Sequence, residues 1–307
     1  MKRILALLAI SVLSCGCAGP LVLDDDGAIV MIPHKIGSDG HIIVRAMIND
    51  QGPFKFVLDT GASISVIFES TRKDAGLDLL PDVRVLIHGM IGSGEFPLTT
   101  IAEVKIGSES WTNARMASLP EDSPVSTEFD GILGIDFLRR YAVGVSAEDQ
   151  VIRLYPPLLV RERSYRGWTS VPMQQLRIGQ GDTTAYAIDL YISGVTIPAL
   201  LDLGASFNMM NWRAARAIRV KPIKVRSTDT LSGAVETEPV VARLEVDELK
   251  IKDLRWRKRT FLIADFPVFE VLNLDNRPVA IVGPDLFNER DYVIDFVRNR
   301  LLIKTSK

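Results

Sequence analysis

Asp59-Thr60-Gly61-Ala62-Ser63 and Asp202-Leu203-Gly204-Ala205-Ser206 decide the fold of this 307-residue chain. Each segment closes an apolar run, Phe56-Val57-Leu58 in the first case and Ala199-Leu200-Leu201 in the second. They stand 143 residues apart (202 minus 59). Asp and Gly are ordinary turn residues, so one such pentapeptide says little. Two at matching places in two halves predict that the chain brings a pair of carboxylates together. Gly61 and Gly204 fit that purpose, because the absence of a Cβ lets two backbones approach.

The repeat extends well beyond these loops. Asp130-Gly131-Ile132-Leu133-Gly134-Ile135-Asp136-Phe137-Leu138 corresponds to the stretch from Ala280 through Gly283, Pro284 and Asp285 to Phe287. Gly134 matches Gly283 and Asp136 matches Asp285, both at an offset of 149 (283 minus 134). The same offset relates Val143 to Tyr292, Val145 to Ile294, Ile152 to Leu301 and Leu154 to Ile303. Upstream, Ile42 to Ile48 and Tyr186 to Ile192 alternate with a period of two and precede their aspartates by nearly equal distances. A period this long means a duplicated domain rather than a solenoid. Many short strands punctuated by turn signals, with no long helix, predict an all-β protein of two lobes. Ser70 or Thr71 is expected to cap a short helix ending near Gly76, and Asn211 to cap its counterpart from Trp212 to Ile218.

This arrangement resembles the aspartic proteases, specifically a retropepsin-like lobe doubled into one pepsin-like chain, over residues from about 41 to 304. Leu58-Asp59-Thr60-Gly61-Ala62-Ser63 followed by Ile132-Leu133-Gly134 is the family pattern in full. The resemblance implies a bilobal acid-protease fold of two tandem retropepsin-like β-barrel lobes. It makes Asp59 and Asp202 the catalytic dyad, supported by Thr60, Gly61 and Gly204. The triplets ending at Gly134 and Gly283 become strands that cross behind each aspartate loop. His88-Gly89-Met90-Ile91-Gly92-Ser93-Gly94 matches the position of a substrate-covering flap, so Gly89, Met90, Ile91, Gly92, Ser93 and Gly94 are candidate substrate contacts. Ser232-Gly233-Ala234 is the poorer equivalent in lobe two. The second half departs from the family at Leu203, where a Thr or Ser hydroxyl bonds across the lobe interface. Its loss removes about 1 kcal/mol and threatens to strand the Thr60 hydroxyl at a cost of roughly 1–3 kcal/mol.

Paired carboxylates suit amide hydrolysis, which must both activate water and protonate the leaving nitrogen. Two charges about 3 Å apart repel by roughly 5 kcal/mol at an effective dielectric near 20, so such a pair shares one proton. Aspartic proteases are the type case of this effect. The ionised member takes a proton from water while the protonated member hydrogen-bonds the scissile carbonyl, and the apparent pKa values belong to the pair. The reading is therefore an aspartic endopeptidase acting on extended polypeptide segments, without metal or cofactor. Two alternatives stay open: a pseudoprotease that holds a peptide uncut, and a homodimer that uses only Asp59 from each of two chains. A monomer is the expectation for the doubled chain.

Other chemistries fit poorly. No Gly-x-Ser-x-Gly elbow exists, and no Gly-Lys-Ser or Gly-Lys-Thr follows the glycine-rich stretch. His34, His41 and His88 lack metal-pair spacing. Apolar content of 47% and charged content of 24% describe an ordinary globule. A net charge of −2 gives no reason to expect nucleic acid. Arg255-Trp256-Arg257-Lys258-Arg259 reads as an exposed strand, with contact to anionic lipid as the alternative.

The N-terminus reads as an export signal. Lys2 and Arg3 precede an apolar stretch from Ile4 to Leu13, too short to span a bilayer, then Ser14-Cys15-Gly16-Cys17-Ala18-Gly19. The pattern resembles a bacterial lipoprotein signal with Cys15 or Cys17 acylated, ordinary cleavage near Ala18 being the alternative. It implies an enzyme in the periplasm or cell envelope, held to the outer membrane by a lipid anchor. The expected layout is a signal over 1–17, a polar tether over 18–40, lobe one over 41–155, a connector over 156–183 and lobe two over 184–307. Arg161, Arg163 and Arg166 are read as decorating an inter-lobe strand in the connector, with contact to a substrate as the alternative.

Overall fold

The computed structural model describes residues 30–36, 40–89, 92–156, 165, 167–177, 184–224, 230–239 and 242–305. The signal with Cys15 and Cys17, most of the tether, the three connector arginines, and Met90 and Ile91 of the flap lie outside these residues. Among the described residues no helix is long and apolar enough to cross a membrane.

The chain folds as the repeat predicts, into two all-β lobes of the bilobal acid-protease type. Alternation explains the strands: Ile42–Ile48 buries Ile42, Val44, Ala46 and Ile48 and turns Arg45 outward. In lobe one it pairs on one side with Gln51–Leu58. On the other it meets the long strand Ser93–Ile106 through Ala46 opposite Ile106, which closes the sheet on itself. Lobe two repeats the plan, with Thr184–Ile192 between Val195–Leu201 and the strand Ala242–Ile251, where Ile192 lies opposite Leu249. The basic run lies on Leu254–Ile263, whose alternation buries Trp256 and Phe261 and leaves Arg255, Arg257 and Lys258 exposed.

Behind the lobes a six-stranded antiparallel sheet joins them, in the order Val30–Pro33, Val151–Tyr155, Ala142–Ser146, Tyr292–Asp295, Arg300–Lys304, Trp168–Pro172. Gly144 lies opposite Val293 at its centre, and 293 minus 144 is the repeat offset of 149. A residue facing its own repeat mate marks a two-fold axis, so the pseudo-symmetry axis passes between these two strands. Two expectations need correction here. Residues 30–36, read as the end of a solvated tether, instead form an edge strand of this sheet and a short strand, Lys35–Ile36, on lobe one. Their alternation of Ile32 and His34 inward is too brief to stand out in a sequence. The helix after the first aspartate loop spans Glu69–Asp74 with Phe68 at its N-cap, so neither Ser70 nor Thr71 caps it. The strand Val66–Phe68 runs directly into it, leaving no room for a separate cap.

Candidate active site

Each aspartate loop is built the same way. Gln51–Leu58 runs parallel to Gly131–Leu133, and the Asp59 amide donates to the Leu133 carbonyl at 3.0 Å. Val195–Leu201 runs parallel to Ala280–Val282, and the Asp202 amide donates to the Val282 carbonyl, also at 3.0 Å. The loops then turn back through Val66–Phe68 and Met209–Met210, each antiparallel to the same crossing strand. The short apolar triplets thus clamp the aspartates from behind. Gly134 and Gly283 permit this contact, since a Cβ there would fall 2.7 Å from the Ala62 carbonyl oxygen and 2.1 Å from that of Ala205.

The clamp has a second tie that the pentapeptides do not announce. Ser65 donates to Asp136 through its amide at 3.0 Å and its hydroxyl at 2.7 Å, and its Oγ accepts the Gly134 amide at 3.0 Å. In lobe two Asn208 takes the place of Ser65. Its Nδ2 donates to Asp285 at 2.9 Å and its Oδ1 accepts the Gly283 amide at 3.4 Å. Burial pushes the Asp136 carboxyl up from its ordinary value, opposed by the hydrogen bonds from Ser65 and Phe137. The 149-residue repeat had matched Asp136 to Asp285 without giving either a task.

The two loops meet face to face. A Cβ at Gly61 would sit 2.7 Å from an Asp202 carboxylate oxygen, and one at Gly204 only 2.4 Å from the Asp59 carboxyl carbon. Asp59 Oδ1 accepts the amides of Gly61 at 2.7 Å and Ala62 at 2.9 Å, and Asp202 Oδ1 accepts that of Gly204 at 2.8 Å. Burial, then the negative charge of Asp59, then a hydrogen bond between the two carboxyls, raise the Asp202 pKa well above the ordinary carboxylate range.

Leu203 does less harm than its chemistry suggests. The Thr60 hydroxyl donates across the interface to the Leu201 carbonyl at 2.7 Å and accepts the Leu203 amide at 3.0 Å. It is fully engaged by backbone and is not stranded. The Leu203 side chain is completely buried in the main core. Burying a Leu side chain is worth roughly 1.5–3 kcal/mol, more than the about 1 kcal/mol of the hydrogen bond it forgoes.

His41 adds a lobe-one contact to the lobe-two loop. Its Nε2 lies 2.8 Å from the Gly204 carbonyl oxygen and 3.0 Å from Ser206 Oγ. A carbonyl only accepts, so Nε2 carries the proton. Phe129 holds the ring edge-on at 5.0 Å between centroids. Sequence spacing excluded His41 as a metal ligand but gave no hint of this role, which depends on partners 163 residues away.

The aspartate pair opens into a cleft of about 130 Å³ whose walls come from both lobes, including Val57, Ile132, Phe129, Leu200, Met209 and Ile281. The predicted flap is the hairpin of Leu79–His88 and Ser93–Ile106, its turn closed by the Gly89 amide on the Gly92 carbonyl at 3.1 Å. Of its candidates Gly89 lines the cleft, beside His88, which was not among them, whereas Ser93 and Gly94 lie back along the hairpin, with Ser93 Oγ 2.9 Å from His88 Nδ1. Lobe two carries a true second hairpin, Thr230–Ser232 with Thr237–Pro239, closed by the Gly233 amide on the Glu236 carbonyl at 2.8 Å. Gly233 and Ala234 also line the cleft. Ser123 of lobe one donates to the Ala234 carbonyl at 2.6 Å, and a Cβ at Gly92 would fall 2.7 Å from the Glu236 side chain. The two turns meet as a roof.

Comparison with known proteins agrees with this geometry. A model of the aspartyl protease family matches residues 44–137 and again 188–286, once on each lobe. The crystal structure of basic 7S globulin from soybean shares the fold at a TM-score of 0.55 and 9% identity, covering 91% of this chain and 95% of that one. A search of curated protein sequences gives no match. Two family matches, each spanning one lobe and its aspartate loop, place the chain in the aspartyl protease family.

Proposed function

We propose that the protein is an aspartic endopeptidase in which Asp59 and Asp202 of one chain activate water together. The observation that carries the reading is the mutual approach of the two loops, tight enough that each glycine faces the opposite carboxyl. Asp202, with its raised pKa, holds the shared proton and donates it to the scissile carbonyl. Asp59, anchored by two backbone amides, takes the proton from the attacking water. The apolar walls and strand edges around the dyad suit an extended peptide, whose main chain bonds to strand groups while its side chains fill pockets. Pairing of Asp59 with Asp202 within one chain speaks for a catalytic monomer and against the homodimer. Export to the cell envelope remains part of the proposal, supported by the Lys2-Arg3 apolar leader and tested by fatty-acid labelling of wild type and of Cys15→Ser and Cys17→Ser.

The test is cleavage of a random peptide library followed by mass spectrometry, with wild type beside Asp59→Ala and Asp202→Ala. Each variant is expected to lose at least about 100-fold in rate. Wild-type rates in either variant rule out the shared dyad, and absence of cleavage by wild type with retained peptide binding supports the pseudoprotease instead.

A further inference from the structure

A second, larger cavity of about 670 Å³ lies between the interlobe sheet and the Ala242–Ile263 hairpin of lobe two. It shares Ser206 and Phe207 with the dyad cleft, so the two spaces adjoin at the loop just past Asp202. Its hairpin wall carries Arg243, Lys258 and Arg259. Among the described residues Arg243 and Lys258 form no ion pair, while Arg259 pairs with Glu289 at 3.2 Å. The one lining carboxylate, Asp285, is already occupied by the amide nitrogens of Asn208 at 2.9 Å and Asn288 at 3.4 Å.

The cavity also collects polar atoms that have no partner among the described residues. Among the described residues the Tyr292 hydroxyl and the Arg259 Nε are buried and make no hydrogen bond. Tyr292 is 2% exposed. Buried polar atoms in folded proteins are almost always satisfied, so unpartnered ones along a single cavity point to something that belongs in it. Burial holds the Tyr292 phenol protonated, so it is a donor, and a guanidinium can only donate. What fits a wall of donors and cations is an acceptor with negative charge. A carboxylate offers about four lone-pair sites and favours such charge-assisted bonds.

We infer that this cavity receives an acidic side chain of the substrate, from a segment that leaves the dyad cleft past Ser206 and Phe207. The site makes the enzyme selective for polypeptides carrying Glu or Asp on one defined side of the scissile bond. This rests on the proteolytic reading above, and binding and cleavage must therefore be measured apart. The binding probe is a set of fluorescent extended peptides without other charges, in which a single Glu is walked along successive positions, each paired with its Gln counterpart. Binding is read by anisotropy on the Asp202→Asn protein, so that no probe is consumed.

At a position on one side of the centre, Glu should bind at least about tenfold more tightly than Gln, a preference that falls as salt rises. In an Arg243→Gln/Lys258→Gln background the ratio should drop below about twofold, and Tyr292→Phe should lower it as well. Equal binding of Glu and Gln peptides at every position overturns the inference, as does a preference that survives the double substitution. If wild type cleaves the peptides with no Glu preference, the cavity assignment fails and the protease stands. If Glu is preferred in binding but nothing is cleaved, the cavity stands and the protease fails.

Discussion

At the scale of single residues the dyad makes a prediction about pH. Asp202 is buried beside Asp59 and its folded pKa is raised, whereas in the unfolded chain it returns to about 3.9. Below about 3.9 both states bind the proton and the favourable environment of the neutral carboxyl counts in full. Between that value and the raised folded pKa the native state holds more protons than the unfolded one, so stability falls as pH rises. Asp202→Asn replaces the carboxyl by an amide that cannot ionise. The stability difference between wild type and this variant, taken from denaturant midpoints, should therefore move against wild type from about pH 4 upward. A difference that is flat with pH would mean that Asp202 is not held in its neutral form. The aspartates were legible in the sequence because turn chemistry is local and here occurs twice. Thr60 was legible in kind but misjudged in energy: a sequence shows the missing hydroxyl at Leu203, not the backbone groups of Leu201 and Leu203 that serve the Thr60 side chain instead. His41 was illegible, since Gly204 and Ser206, which its Nε2 meets, stand 163 and 165 residues away in the chain.

At the scale of elements the deciding part is the brace behind each loop. Asp136, at the start of the short helix Ile135–Leu138, accepts from the Ser65 amide and hydroxyl and from the Phe137 amide. Asp136→Ala strands these donors in a buried setting and should cost about 3 kcal/mol of stability, read as a lower denaturant midpoint. It should also slow cleavage by about 100-fold, because the Asp59 loop hangs on the same contact and a small misplacement is expensive. Asp285→Ala, where the partners are the side-chain amides of Asn208 and, at longer range, the exposed Asn288, should cost about 1–2 kcal/mol. Equal midpoints for wild type and Asp136→Ala would show that the brace is not a support. Self-comparison found Asp136 and Asp285 because they are identical, but passed over Ser65 and Asn208, which stand at the loop offset of 143 (208 minus 65). Different side chains place a donor and an acceptor at the same spot, and only the packed structure makes that equivalence visible. The lobe-two hairpin was hard to read for a similar reason. Gly233 through Glu236 has one glycine, yet its turn closes with the same bond as Gly89 through Gly92.

At the scale of the molecule the six-stranded sheet decides how the lobes depend on each other. Ala142–Ser146 and Tyr292–Asp295 pair around the pseudo-symmetry axis, and apolar residues of both lobes and of this sheet share one continuous core. Neither lobe is complete alone: cutting the chain between them leaves Ala142–Ser146 as an open edge with a full row of unpaired backbone groups. The lost partner strand is its own repeat mate, so a second copy of lobe one offers nearly the same surface, turned about the same axis. Residues 30–155 expressed alone should then form a two-fold dimer, with Gly144 facing Gly144 across the junction. In that dimer Asp59 would face Asp59, and Thr60 would again find a backbone partner across the interface. Light scattering should report twice the mass of the fragment, and dilution should unfold it as pairing is lost, because stability of such a dimer depends on protomer concentration. A folded, monodisperse monomer would show that the interlobe sheet is a joint between independent domains. Insoluble aggregate from the fragment, soluble again on adding residues 165–305, would place the same edge at the origin of the failure, since only the true mate strand then covers it.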